Sequence, residues 1–191
     1  MKKKINLPNK ITIFRMLVVI AILILAVLPQ GPTFGFENIQ YDYRRIIILV
    51  LFILGSFSDF LDGHIARKNN IVTTFGKFMD PIADKLLVNT LFVILAGVGE
   101  IHWIIPVIMI SRDTIVDAIR MIVVEQGTVI AASKLGKLKT VTQMIALILI
   151  LAFPGVWYMV LFAYVAAIAS LVSGVDYFWK NRKVLLSDLR G

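Results

Sequence analysis

Four aspartates in the first half of the chain are the residues whose type and spacing could do chemistry. Asp59 and Asp62 lie three residues apart, and Asp80 and Asp84 lie four apart. Residues three or four apart share a face of an α-helix, so each pair would project from one side of a helix. Carboxylates that converge repel one another unless a cation neutralises them. Oxygen ligands in a chain without cysteine favour a hard ion, so the pattern predicts a Mg²⁺ or Mn²⁺ site.

Small and basic residues accompany the aspartates. Gly63, Ala66 and Gly76 would let backbone or ligand approach closely, and Arg67 could form paired hydrogen bonds with phosphate oxygens. Such ions bind phosphate oxygens, and two ions bridged by shared carboxylates suit a displacement at phosphorus. The expected ligand is therefore a phosphate or a diphosphate.

A simpler interpretation stays open for Asp80. Asp is a common N-cap and Pro is common at the first helical position, so Asp80 and Pro81 could merely begin a helix. For the four aspartates together, the corresponding alternative is paired surface charges at helix ends.

The chain around these residues is apolar enough to lie in a membrane. Its 191 residues are 59% hydrophobic and 17% charged, and its mean hydropathy is +0.86. Soluble domains are roughly 45–50% apolar and about 25% charged. Six apolar runs are each expected to form a spanning helix. They cover about residues 11–28, 46–54, 78–97, 102–124, 141–153 and 156–178. The second helix is expected to continue past its apolar run through Asp59 and Asp62, and the fifth span is short.

The basic residues set the expected orientation of these spans. Most lie before span one, between spans two and three, between spans four and five, and after span six. Because cytoplasmic loops carry an excess of Lys and Arg, both termini should be cytoplasmic. We therefore expect an all-α integral membrane protein with six transmembrane helices in the cell membrane. It would form one domain over residues 1–191, with the aspartates facing the cytoplasm.

Composition and charge placement also exclude several functions. The absence of cysteine rules out disulfides, thiolate metal sites and cysteine nucleophiles. The net charge of +8 is spread over four loops, whereas a nucleic-acid groove needs clustering on one face, so no nucleic-acid partner is expected. A cation transporter is the rival from another class. It predicts carboxylates distributed through the membrane depth, while these cluster at one end beside Arg67.

Eight residues at fixed spacing carry a family resemblance. They match every fixed position of the CDP-alcohol phosphotransferase signature, which the six expected spans also resemble: Asp59, Asp62, Gly63, Ala66, Arg67, Gly76, Asp80 and Asp84. The resemblance implies that an alcohol attacks the β-phosphorus of a CDP-linked lipid and releases CMP. It also implies one ion on Asp59, Asp62 and Asp80, a second on Asp59, Asp80 and Asp84, Asp84 as the base, and a homodimer.

The N-terminal segment resembles that of the bacterial members that use glycerol 3-phosphate as acceptor. The resemblance implies that Asn9 and Thr12 contact the nucleotide and that Thr73 contacts the diphosphate. Four residues of the motif are also expected to approach the CDP-lipid: Gly63, Ala66, Arg67 and Gly76. Asn9 or Thr12 could equally cap the first helix, and the two roles are compatible.

A second basic group suggests how the acceptor binds. Arg112 near the middle of span four needs a partner or an anionic ligand, and Lys134, Lys137 and Lys139 at one membrane entrance can attract a phosphorylated acceptor. With CDP-diacylglycerol as donor, glycerol 3-phosphate is the expected acceptor; inositol phosphate, serine and phosphatidylglycerol are the alternatives. In a simpler interpretation the charges of span four pair internally, and the lysines set topology or touch anionic membrane lipid.

Overall fold

The computed structural model describes residues 7–29, 31–36, 39–69, 74–125 and 133–188, and of residues 59–69 it describes the backbone alone. These ranges hold six α-helices and one two-stranded antiparallel sheet. In chain order the elements are α1 Leu7–Val27, β1 Thr33–Phe36, β2 Ile39–Asp42, α2 Tyr43–Asn69, α3 Thr74–Gly97, α4 Ile104–Glu125, α5 Lys134–Ala152, a 3₁₀ turn at Trp157–Met159, and α6 Val160–Asp188. The predicted helical fold is confirmed.

The first residue of α3 shows whether Asp80 is the N-cap of that helix. α3 begins at Thr74, so Asp80 and Pro81 both lie inside the helix. The interpretation in which Asp80 caps a helix beginning at Pro81 is therefore wrong. Pro81 lacks an N–H and cannot bond to the carbonyl four residues earlier, so one hydrogen bond of α3 is absent at this point.

Helix α5 begins seven residues earlier than its apolar run predicts, at Lys134 rather than at residue 141. Ser133 explains the difference, because its Oγ accepts a hydrogen bond from the Gly136 N–H at 3.0 Å. That is the bond of an N-cap to the third helical residue. Hydropathy marks the apolar part of a helix, whereas capping marks where it begins.

A β-hairpin between α1 and α2 was not predicted. Thr33 pairs with Asp42 and Phe36 with Ile39, and the rings of Phe34 and Tyr41 stack at 5.5 Å. Asp42 accepts hydrogen bonds from the Arg44 backbone N–H at 2.8 Å and from its Nε at 2.7 Å. The Arg44 side chain holds the pKa of Asp42 below its ordinary value, although burial opposes this. Four-residue strands give too little alternation to detect in a sequence.

The chain forms two compact units, residues 1–94 with 151–155 and residues 95–150 with 156–191. In the first unit α1 packs on α2, and α2 approaches α3 closely at Gly55. A Cβ at Gly55 would lie 2.9 Å from Leu87 Cδ2 and 3.6 Å from Val18 Cγ1. In the second unit α4 packs on α6, around Val116, Ile119, Val123 and Tyr177.

Three of the described helical segments are long and apolar enough to cross a membrane: Asn9–Val27, Lys134–Ala152 and Trp157–Arg182. The other long helices carry more charge. α4 alone contains Arg112, Asp113, Asp117, Arg120 and Glu125. The residues that suggest chemistry therefore also lower the hydropathy of the helices that hold them.

Candidate active site

Helices α2 and α3 carry the four aspartates of the motif. α2 continues without a break through Asp59 and Asp62, as predicted, and α3 holds Asp80 and Asp84 one helical turn apart. The close approach at Gly55 and Leu87 lies about one turn from Asp59 on α2 and from Asp84 on α3. The helix packing thus brings the two motif segments near one another.

Several predicted site residues lie outside the part that the structure describes. Thr73 is outside the described residues, and so are the side chains of five residues on α2: Asp59, Asp62, Gly63, Ala66 and Arg67. Among the described side chains, no group of three or more His, Asp or Glu residues could hold a metal ion. Of the four predicted carboxylates, the structure therefore describes the side chains of the two on α3. These are Asp80 and Asp84, and both are half-buried.

Asp80 is tied to α1 by two residues. The Thr12 hydroxyl donates a hydrogen bond to Asp80 Oδ1, and Arg15 NH1 lies 3.5 Å from the Asp80 backbone oxygen. Thr12 and Arg15 are both completely buried, at 0% exposure. Thr12 was expected to contact the nucleotide, while Arg15 was not predicted as a site residue. An arginine within an otherwise apolar run was the signal that could have found it.

The donor set of α3 fits a hard divalent ion. Asp80 and Asp84 supply only carboxylate oxygens, which Mg²⁺ and Mn²⁺ prefer. Gly76 lies one turn before Asp80 and is buried, as expected for a residue that allows close approach. The described residues therefore agree with the predicted ion in chemistry, and α2 would have to supply its remaining protein ligands.

A second polar cluster lies in the second unit, between α4, α5 and α6. Lys139 Nζ donates to both oxygens of Asp113, at 2.6 and 2.9 Å, and Arg112 NH1 donates to Asp113 Oδ1 at 3.0 Å. Arg112 NH2 also donates to Ser173 Oγ at 2.6 Å. Asp113 and Lys139 are only 4% and 6% exposed. Asp113 of α4 is therefore paired within the protein, with Arg112 of the same helix and with Lys139 of α5.

Gly174 lets Arg112 lie against α6. A Cβ at Gly174 would stand 2.8 Å from Arg112 Cγ, so a larger residue would push the arginine out of this position. Arg112 Nε is buried and has no hydrogen-bond partner within the described part of the chain. One N–H of a fixed guanidinium is thus still able to donate.

A cavity of about 380 Å³ lies between α4 and α6 beside Arg112. Its lining is apolar apart from two residues and consists of Val107, Ile108, Ser111, Arg112, Ile115, Val116, Leu171, Gly174, Val175 and Phe178. A small phosphorylated alcohol needs many polar partners, so this cavity by itself does not suit one.

The lysines predicted to bind the acceptor phosphate fall into two groups. Lys134 and Lys137 are exposed in the first turn of α5, whereas Lys139 is buried and paired with Asp113. Asp113 and Ser173, which hold Arg112, were not predicted as site residues. Lys139 is thus part of a fixed network, while the first two lysines are accessible.

Comparison with known proteins agrees with this geometry. A sequence model of the family described as CDP-alcohol phosphatidyltransferase matches residues 5–174. The chain belongs to the CDP-alcohol phosphatidyltransferase family. The matched range contains every motif aspartate and the residues of both polar clusters.

Relatives within this family align with nearly the whole chain. It is 36% identical to the CDP-diacylglycerol--glycerol-3-phosphate 3-phosphatidyltransferase of Bacillus subtilis (strain 168), over 94% of this chain and 97% of that protein. It is 37% identical to the protein of the same name from Rickettsia typhi, over 91% and 95%. It is 32% identical to a probable phosphatidylglycerophosphate synthase of Mycobacterium tuberculosis, over 90% and 79%.

The buried network of the second unit predicts a large loss of stability when the Asp113 carboxylate is removed. Asp113→Asn should lower the free energy of unfolding by about 3–5 kcal/mol, because Lys139 and Arg112 would stay buried without the negative charge of Asp113. Denaturation of the purified protein in detergent measures the effect.

Asp176→Asn is the matched control. Asp176 pairs with Lys180 at 2.7 Å on an exposed face of α6, and such a pair contributes only about 0–1 kcal/mol. Adding Lys139→Met to Asp113→Asn should restore part of the lost stability. Equal effects of the Asp113 and Asp176 substitutions would show that the buried network does not stabilise the fold.

Proposed function

We propose that this protein transfers the phosphatidyl group of CDP-diacylglycerol to glycerol 3-phosphate, giving phosphatidylglycerol phosphate and CMP. The observation that carries the proposal is the end-to-end alignment with relatives named for this reaction, in a chain that keeps all eight motif residues. The geometry supports it, because α2 and α3 carry the aspartates in helices that approach one another.

The same proposal extends to topology. The chain is a single domain that crosses the cell membrane six times, with both termini and the active site at the cytoplasmic face, and it acts as a homodimer. Three apolar helices and the placement of the basic residues support the membrane assignment. The family match extends over most of both compact units, which supports a single functional domain.

Asp59, Asp62, Asp80 and Asp84 are the residues that would hold two Mg²⁺ or Mn²⁺ ions. When bound, these ions would neutralise the diphosphate and stabilise the charge that develops on the departing CMP. Arg67, which belongs to the motif, would form paired hydrogen bonds with phosphate oxygens. Asn9, Thr73 and the small residues Gly63, Ala66 and Gly76 would bind the rest of the CDP-lipid, whereas the Thr12 hydroxyl is buried and donates to Asp80.

Asp84 acts as the general base. Its carboxylate accepts the proton of the acceptor hydroxyl, and the resulting oxygen forms a bond to the phosphorus that carries diacylglycerol. The bond from that phosphorus to the oxygen of CMP breaks, and the electron pair leaves with CMP. Asp84 is half-buried, so it is accessible to a bound acceptor while partly shielded from water.

The acceptor phosphate would bind to Arg112, Lys134, Lys137 and Lys139. Arg112 is supported by its fixed position and by the N–H at Nε that lacks a partner in the described structure. Lys134 and Lys137 are supported by their exposure. Lys139 already donates to Asp113, so its contribution is to hold the network in place and to add positive charge.

An assay with a panel of acceptors tests the function. Purified protein supplied with CDP-diacylglycerol and Mg²⁺ or Mn²⁺ should release CMP with glycerol 3-phosphate and far less with inositol phosphate, serine or phosphatidylglycerol. Asp84→Asn should lower turnover about 10²-fold or more because the base is lost, whereas Asp176→Asn should keep normal turnover. CMP release that requires another acceptor, or that survives in Asp84→Asn, would contradict the proposal.

Neutralising the acceptor cations one at a time tests their assignment. One charge-assisted contact is worth about 1.5–3 kcal/mol, so losing it should raise the KM for glycerol 3-phosphate roughly 10- to 150-fold. The KM for CDP-diacylglycerol should change much less. We expect this selective effect for Arg112→Gln and for at least one of Lys134→Gln and Lys137→Gln.

Lys180→Gln is the matched control, because Lys180 is an exposed lysine that pairs only with Asp176 across one helical turn in the described structure. It should leave both KM values unchanged. An unchanged KM for glycerol 3-phosphate in all four variants, Lys139→Gln included, would contradict this acceptor site. The choice of glycerol 3-phosphate as acceptor would then rest only on the names of the relatives.

A further inference from the structure

Thr12 and Arg15 link α1 to α3, the helix proposed to carry metal ligands. Neither residue belongs to the family signature. The two residues lie three apart on α1 and therefore share a helix face. Both are completely buried, and both reach Asp80 on α3. A buried hydroxyl and a buried guanidinium cost free energy in an apolar unit unless they are hydrogen-bonded, and Asp80 is a partner that both reach.

We infer that Thr12 and Arg15 are positioning residues that fix the carboxylate of Asp80 for divalent-ion binding. The inference rests on the proposed function, in which Asp80 is a ligand of both ions. The Thr12 hydroxyl donates to Oδ1 of Asp80, which sets the rotation of the carboxylate about the Cβ–Cγ bond. Arg15 NH1 lies 3.5 Å from the backbone oxygen of the same residue, a long hydrogen bond that adds a second contact between α1 and α3. Side chain and backbone of Asp80 are thus held from α1.

The structure explains why such a link is needed at this aspartate. Pro81 removes a hydrogen bond of α3 next to Asp80, so the helix is less well held at that turn. Partners that orient metal-ligating carboxylates generally affect metal affinity strongly. The positive charge of Arg15 also lies beside the acidic motif and partly offsets the repulsion among its carboxylates.

The link changes the role given to Thr12. A nucleotide contact would require its hydroxyl to face the ligand, whereas here the hydroxyl is fully buried and donates to Asp80. Asn9, one turn earlier on α1, remains the residue of this helix that we propose to contact the nucleotide. Because Thr12 bonds to Asp80, a movement of the end of α1 that carries Asn9 would be transmitted directly to a proposed metal ligand.

Mn²⁺ binding tests the inference without relying on turnover. Free Mn²⁺ is measured by its electron paramagnetic resonance signal during titration of the purified protein in the presence of CDP. Thr12→Val keeps the branched shape and removes the donor, and it should weaken Mn²⁺ binding roughly 10- to 100-fold. Thr12→Ser keeps the donor and should bind nearly as the parent does. Arg15→Gln should weaken binding in the same direction.

Thr114→Val is the matched control, since within the described part of the chain the Thr114 hydroxyl bonds only to the Ile110 carbonyl of its own helix, at 2.9 Å, on an exposed face. It should leave Mn²⁺ binding unchanged. If Thr12→Val does not fold, Thr12→Ala gives the same test with a smaller side chain. Parental Mn²⁺ affinity in a folded Thr12→Val or Thr12→Ala, or weak binding in a folded Thr12→Ser, would overturn the inference.

The kinetic readout separates a positioning role from a merely structural one. Thr12→Val should need more Mn²⁺ for half-maximal CMP release while its KM for glycerol 3-phosphate stays unchanged. A parent protein that binds no Mn²⁺ would instead count against the proposed function, whereas a parent that binds it and a Thr12→Val that binds it equally would count against this inference alone.

Discussion

A charged side chain in an apolar protein has to find its partner within the protein, and this constraint organises both polar regions of the chain. Water is scarce beside helices as apolar as these, so an unpaired charge is expensive. Asp113 accepts from Lys139 and Arg112, and Asp80 accepts from Thr12 while Arg15 bonds its backbone. In each region, at least one residue of another helix bonds to the aspartate.

The constraint explains which helices pack where. Glycine at residue 174 leaves room for Arg112 against α6, and glycine at residue 55 leaves room for Leu87 of α3 against α2. The first contact places the guanidinium beside Ser173, and the second brings the two halves of the aspartate motif near one another. Small residues in this chain therefore serve to place charged ones.

Much of this could be predicted from the sequence, because periodicity and fixed motifs are local properties. The helices, the continuation of α2 through Asp62 and the family were all accessible in this way. The beginning of α5 was missed because hydropathy hides a polar first turn, although Ser133 was a visible cap. The hairpin was missed because its strands are only four residues long.

The partners of individual charges could not be predicted in the same way, because they depend on how distant helices pack. Nothing local in the sequence joins Thr12 to Asp80, which are 68 residues apart, or Lys139 to Asp113, which are 26 apart. A charged residue in an apolar run does predict that some partner exists. Which residue it is becomes clear only when the helices are placed.

The proposed reaction requires that aspartates from α2 and α3 together bind the divalent ions. The most direct test is the stoichiometry of Mn²⁺ bound to the purified protein with CDP, compared with Asp59→Asn on α2 and Asp80→Asn on α3. We expect about two ions per parent chain and a loss of binding in each variant, with Asp176→Asn unchanged. Parental stoichiometry and affinity in either motif variant would contradict it.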